Sequence, residues 1–187
     1  AAYAAFSPEF HEGTRNRPNK IMTDLEIGAY EGFMGGQFWD GREIDLKGQA
    51  GGPPLNPGEM NMPDKASVVE RIKENAEYVA GFEHVYGGNI FDDVEAAYAA
   101  MAESIGEFEK QPEFATFDSK YDRTFLNFRD ENFYEFPVTS KAFTGQTLFF
   151  SANLTCAACH QLLPLRVKDE LFTSFEYHNI GVPVNTA

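Results

Sequence analysis

Long hydrophobic runs are missing from this chain of 187 residues: the longest, such as TLFF and AAYAAMA, fall far short of the roughly 20 apolar residues that cross a bilayer, which excludes a membrane-spanning helix. Basic residues are scarce as well. Fifteen Lys and Arg against 29 Asp and Glu leave a formal charge of -14, which repels nucleic acid and anionic membrane surfaces and attracts basic partners. Cysteine is almost absent, Cys156 and Cys159 being the only two. The chain opens AAYAAFSPEF, without the charged and apolar regions of a secretion signal, so the opening reads as a cut into a longer protein with any export signal outside it. Internal repeats, low-complexity segments and β-alternation of useful length are absent too.

What is present is apolar bulk. Hydrophobic residues make up 43% of the chain, with 18 Phe and 8 Tyr, enough to fill the core of one good-sized domain or two small ones. The expected fold class is mainly all-α, with long ordered loops. Up to about Pro63 the chain is rich in Gly, Pro and Asn and follows neither helical nor strand periodicity, so it reads as ordered loop with short helical turns. From Asp64, DKASVVERIKENAEYVAGF predicts one helix capped by Asp64, with Val68, Val69, Ile72, Ala76 and Val79 inward and Gly81 as its stop. A second helix is predicted over 91–111, with Val94, Tyr98, Met101, Ile105 and Phe108 on one stripe and Pro112 beyond it. A third, TSKAFTGQTLFFSAN, takes Thr139 or Ser140 as cap, buries Phe143, Leu148 and Phe149, and leads into the cysteines.

Those cysteines sit in LTCAACHQL, two residues apart and followed at once by His160. A thioredoxin-like pair or disulfide would call for a βαβ neighbourhood, and the flanks are helix and loop. A structural zinc site needs four ligands, and His11, His84 and His178 are scattered singly. Covalent c-type haem fits instead: two intervening residues match the separation of the haem vinyl groups, and the adjacent histidine ligates iron. Cys156, Cys159 and His160 are thus the cofactor-binding residues and His160 the metal ligand. Phe143, Leu148, Phe149, Phe172 and Phe175 are candidates to wrap the macrocycle.

The words around the motif, AFTGQTLFF before it, FTSFEYHNIGVPVN after it and GGQFWDGREIDLKGQAGGPPLNPGEMN upstream, resemble the bacterial di-haem cytochrome c peroxidase and MauG superfamily over essentially the whole chain. The resemblance implies cytochrome c-like helical haem domains: residues 1–135 as the remainder of an N-terminal, peroxidatic-type domain, and 136–187 as the start of a C-terminal domain carrying CAACH. It implies a periplasmic enzyme that reduces hydrogen peroxide to water with electrons from a small redox protein, a cytochrome c or a cupredoxin. In that frame Trp39 corresponds to the tryptophan between the haems, Glu59 to the distal-pocket acid and Gln49 to the pocket glutamine that bonds peroxide or water. The haem at His160 becomes the electron-entry centre. A MauG-like oxidase acting on a partner protein and a non-catalytic electron carrier are the alternatives.

Family members carry two CxxCH motifs and this sequence has one. Either residues outside it, or another chain, complete a second haem, or the protein is a single-haem descendant that has kept the scaffold. Met22, Met34, Met60, Met62, Met101, His11, His84 and His178 are candidates for the sixth ligand by element alone, and none is assigned. Calcium between the domains is a further implication of the family.

Overall fold

The computed structural model describes residues 2–15, 30–162, 169–181 and 183. Helices dominate, as expected, and they are short. The chain divides into two compact units, residues 1–11 with 35–114 and residues 12–34 with 115–186. Residues 115–135, placed by sequence with the N-terminal domain, pack in the second unit.

Among the described residues, the first unit is built on four α-helices. Helix α1 (Leu46–Gly51) is capped by Asp45, whose carboxylate accepts from the Gly48 backbone. Helix α2 (Lys65–Lys73) is capped by Asp64, whose side chain accepts from Ser67 at 2.7 Å. A helix-capping carboxylate of this kind stabilises by about 1 kcal/mol. The single helix predicted from Asp64 is in fact two. Asn75 leaves the helical region at φ -107° and ψ 111° and caps a new helix, α3 (Ala76–Tyr86), by accepting from Glu77. That side-chain cap competes with the backbone and interrupts the helix, although the apolar periodicity runs on past it. Gly81 therefore lies inside α3, and the stop is Gly87, whose φ of 102° suits glycine.

Helix α4 (Val94–Phe108), capped by Asp93, is the centre of the unit. Val68 and Val69 of α2 pack on its Ala97, Tyr98 and Met101, with Leu55, Ile72, Phe82 and Phe91 around them. Each such buried aliphatic or aromatic side chain contributes about 1.5–3 kcal/mol. The stripe is narrower than predicted: Val94, Ile105 and Phe108 are exposed, and small residues, Ala100, Ala102 and Gly106, are buried beside Met101. The reason is α1. A Cβ on Gly106 would stand 3.3 Å from Leu46 and the Lys47 nitrogen, so the two helices approach at backbone distance and only small side chains fit between them.

The second unit begins with a structure the sequence did not predict, a two-stranded sheet of β1 (His11–Arg15) and β2 (Tyr30–Met34). HEGTR and YEGFM lack the β-branched alternation that signals a strand. Tertiary bonds hold β2 instead, with the Tyr177 nitrogen donating to the Phe33 carbonyl and an antiparallel bridge joining Met34 to Glu176. The remaining helices are a short α5 (Lys120–Arg123), then α6 (Lys141–Phe149) and the single turn α7 (Cys156–Cys159). Ser140 caps α6, accepting from Phe143 at 3.1 Å, which decides between the two expected caps. Leu148, expected inside, is exposed because α6 is covered on one side only.

Candidate functional site

The CAACH motif forms the turn α7, entered through Thr155 in the left-handed region at φ 54° and closed by the His160 nitrogen bonding to the Cys156 carbonyl at 3.0 Å. One helical turn thus carries Cys156 and Cys159, both free thiols, and sets His160 at its end. The turn is anchored by its neighbours. Ala157, Gln161 and Leu162 are buried, and the Gln161 amide donates to the Ala158 carbonyl at 2.7 Å.

His160 projects from this anchor into an open, apolar trough of about 340 Å³. Tyr121, Phe136, Phe149, Phe150 and Phe172 line it with the imidazole, and Gly145 of α6 keeps its edge low. The walls are interlocked edge to face: Phe149 meets Phe150 at 5.1 Å and Phe172 at 6.0 Å, and Tyr121 meets Phe172 at 4.9 Å. The Nδ1–H of His160 donates to the Phe172 carbonyl at 3.0 Å. That bond fixes the tautomer and leaves the Nε2 lone pair free to face a metal in the trough. Of the residues expected to wrap a macrocycle, Phe149 and Phe172 line the trough, whereas Phe143, Leu148 and Phe175 do not. Tyr121 and Phe136 were missed. They belong to the aromatic-rich stretch 114–136, whose distance along the chain from His160 hid which of its rings face the trough.

Burial, together with the nearby Glu170 and Asp122 carboxylates, pushes the Tyr121 phenol up to about 12, so it stays protonated at ordinary pH. Both carboxyl residues are themselves buried. Among the described residues no three His, Cys, Asp or Glu side chains converge as a metal set. The donors at α7 are therefore two thiols and one imidazole beside an apolar hollow, a chemistry that suits a large flat macrocycle attached by thioethers and ligated by one nitrogen.

The candidate catalytic residues, Trp39, Gln49 and Glu59, all lie in the first unit. FWDGR folds as a tight loop closed by a bridge between Gln37 and Glu43, the Gln37 nitrogen donating to the Glu43 carbonyl at 2.8 Å. Phe38, left-handed at φ 63°, is the anchor; the Arg42 guanidinium lies 3.8 Å over its ring. Trp39 next to it is presented outward with its full surface exposed, 102% of the reference value. Gln49 is half-buried on α1. Glu59 is exposed on a knotted turn in which Asn56 is the hub. The Asn56 side chain accepts from Gly58 at 2.9 Å and donates to Oε1 of Glu59 at 3.1 Å, while its carbonyl accepts from Glu59 and Asn61. Asn61 takes φ 51° to close the knot.

Among the residues named for the sixth ligand, Met101 is consumed by the core of the first unit and Met62 packs against that core. His178 lies 3.4 Å from the Glu176 carboxylate and edge-on to Tyr30. Met22 falls outside the described residues.

Known proteins resemble this chain in sequence and fold. A family model described as di-haem cytochrome c peroxidase matches residues 4–130. The methylamine utilization protein MauG of Paracoccus denitrificans is 42% identical over 98% of this chain and 41% of its own length. The cytochrome c peroxidase Ccp of Escherichia coli is 35% identical over 66% of this chain and 23% of its own. Among solved structures, a variant of the diheme peroxidase BthA from Burkholderia thailandensis superposes with a TM-score of 0.75 at 27% identity, covering 98% of this chain and 40% of that one. The chain thus spans about two-fifths or less of the relatives it matches. With the motif, the trough and the sequence relationship in agreement, the chain belongs to the di-haem cytochrome c peroxidase family.

Proposed function

We propose that this chain supplies the haem-binding turn and the acid-bearing loop of a periplasmic di-haem oxidoreductase that reduces hydrogen peroxide to water with electrons from a small redox protein. The observation that carries the reading is the His160 imidazole, tied by Nδ1–H to Phe172, facing an aromatic trough beside two free thiols. Haem c, when bound, supplies the iron that takes up electrons and, at the second centre, cleaves peroxide. Cys156 and Cys159 hold it covalently, His160 offers Nε2 and the aromatic walls exclude water from its face.

The first unit belongs, in this reading, to the N-terminal peroxidatic domain and α6 with α7 to the C-terminal one. Glu59 takes a proton from one peroxide oxygen and returns it to the leaving oxygen. Asn56 supports that task by holding one carboxylate oxygen, so the other is presented in a fixed direction. Gln49 donates a hydrogen bond to bound peroxide or water. Trp39, wholly exposed on its loop, serves in this reading as the aromatic bridge between the haems. No helix among the described residues is long and apolar enough to cross a membrane.

A second reading has an observation of its own. Identity to MauG is higher and runs over more of the chain than identity to the peroxidase Ccp. The alternative is an oxidase that spends peroxide on residues of a partner protein. The complete protein, matured with haem, separates the two: peroxide-dependent oxidation of reduced cytochrome c supports the peroxidase. Peroxide consumption that requires a protein substrate supports the oxidase, and no consumption in either assay leaves an electron carrier.

A further inference from the structure

His160 has one hydrogen-bond partner on its Nδ1, the carbonyl of Phe172, and that carbonyl is held in an unusual backbone. Phe172 lies in the left-handed region at φ 53°, with Asp169 at φ 60° and Phe175 at φ 59°. Side chains other than glycine avoid this region, and three such residues within seven persist only where neighbours hold them. The neighbour here is α5, some 50 residues upstream. Oδ1 of Asp122 accepts the backbone N–H of Asp169 at 3.2 Å, and the Tyr121 ring meets the Phe172 ring edge to face at 4.9 Å and 75°.

The α5 turn is itself rigid. Ser119 and Asp122 form a reciprocal capping box, with Oδ2 of Asp122 accepting from the Ser119 nitrogen at 3.1 Å and its hydroxyl at 2.5 Å. Tyr121 is braced on its other side by Phe125 at 5.1 Å. Two successive residues thus grip the segment at Asp169 and at Phe172, one by a hydrogen bond and one by a ring. Resting on the reading of His160 as the haem ligand, we propose that Tyr121 and Asp122 are positioning residues that set the reduction potential of the iron through the Phe172 carbonyl. A well-placed carbonyl draws the Nδ1 proton and gives the ring imidazolate character, which strengthens donation from Nε2 to ferric iron and lowers the potential. Slackening the clamp weakens that bond and raises the potential.

The experiment is redox titration of the complete haem-loaded protein, with intact mass recorded on the same samples. Tyr121→Ala and Asp122→Ala are expected to shift the potential of the His160 centre positively and to speed solvent exchange of its Nδ1 proton in NMR spectra. Tyr121→Phe keeps the ring and stays at the wild-type value, and Asp122→Asn keeps an acceptor for Asp169 but gives up the bond from the Ser119 nitrogen, so it shifts less than Asp122→Ala. If the alanine variants do not mature, Tyr121→Leu takes their place, with the same positive shift expected. Haem-loaded alanine or leucine variants at the wild-type potential overturn the clamp alone. So do Phe and Asn variants that shift as far as the alanines, since hydroxyl and charge are then the cause. Wild-type protein with the bare sequence mass removes the haem reading and the clamp with it.

Discussion

Nδ1 of His160 donates to the carbonyl of Phe172, 12 residues on, and leaves Nε2 as the free nitrogen of the ring. A solvent-facing histidine needs no such orientation; an axial ligand does. Wild-type protein is expected to exceed its sequence mass by covalently bound haem after denaturation. His160→Ala keeps both thioether positions and loses the proximal nitrogen, so it should mature poorly or give a high-spin, altered Soret spectrum. A well-assembled variant with an unchanged spectrum would show that His160 is not the ligand.

The core of the first unit predicts differently from its surface. The Tyr98 hydroxyl donates to the Gly51 carbonyl at 2.7 Å, tying α4 to the end of α1 across the same seam that Gly106 keeps narrow. Tyr98→Phe loses one buried hydrogen bond and should cost about 1 kcal/mol in chemical denaturation. Gly106→Val forces α1 outward and should cost more, about 1–3 kcal/mol by overpacking. Equal stabilities for wild type and Gly106→Val would mean the helices do not approach as closely as 3.3 Å implies.

Legibility followed chemistry more than architecture. The turn α7 could be read as one unit because CAACH sets Cys156, Cys159 and His160 within five consecutive residues. Asp64 could be read as a cap because its bond to Ser67 is local. The break at Asn75 was hidden, since an apolar stripe runs on through Ile72 and Val79 whether or not a side-chain cap interrupts the backbone between them. The β1–β2 sheet was hidden because Tyr177 and Glu176, which hold β2, are over 140 residues away. Tyr121 was hidden for the same reason: a ring in a run of rings acquires its role from a segment 50 positions later.

Tyr121 also gives a pH dependence with a definite sign. Its pKa is raised to about 12 in the folded protein, by burial first and by the Glu170 and Asp122 charges next, against about 10 when unfolded. A raised folded-state value means the native protein holds the proton more tightly, so this stability is fully present below pH 10 or so and is lost as pH climbs towards 12. Tyr121→Phe cannot ionise and should flatten that part of the stability profile. Parallel profiles for the two proteins between about pH 10 and 12 would show that the phenol is not held as described.

Glu59 carries the claim that the assembly is an enzyme. Cleaving the oxygen–oxygen bond heterolytically requires a proton to move from one oxygen to the other, and one positioned carboxylate typically contributes roughly 10² to 10⁴ in rate. Glu59→Gln keeps the size and an oxygen to accept from Asn56 but cannot move a proton, so peroxide turnover by the complete protein should fall by that factor. The spectrum of the haem at Cys156 and Cys159 should stay the same. Asn56→Ala provides the graded counterpart: it frees Oε1 and loosens the turn through Gly58, so it should lower turnover less than Glu59→Gln while leaving haem content intact. A variant series in which Glu59→Gln keeps wild-type peroxide turnover removes the acid-base role and leaves the electron-carrier reading in its place.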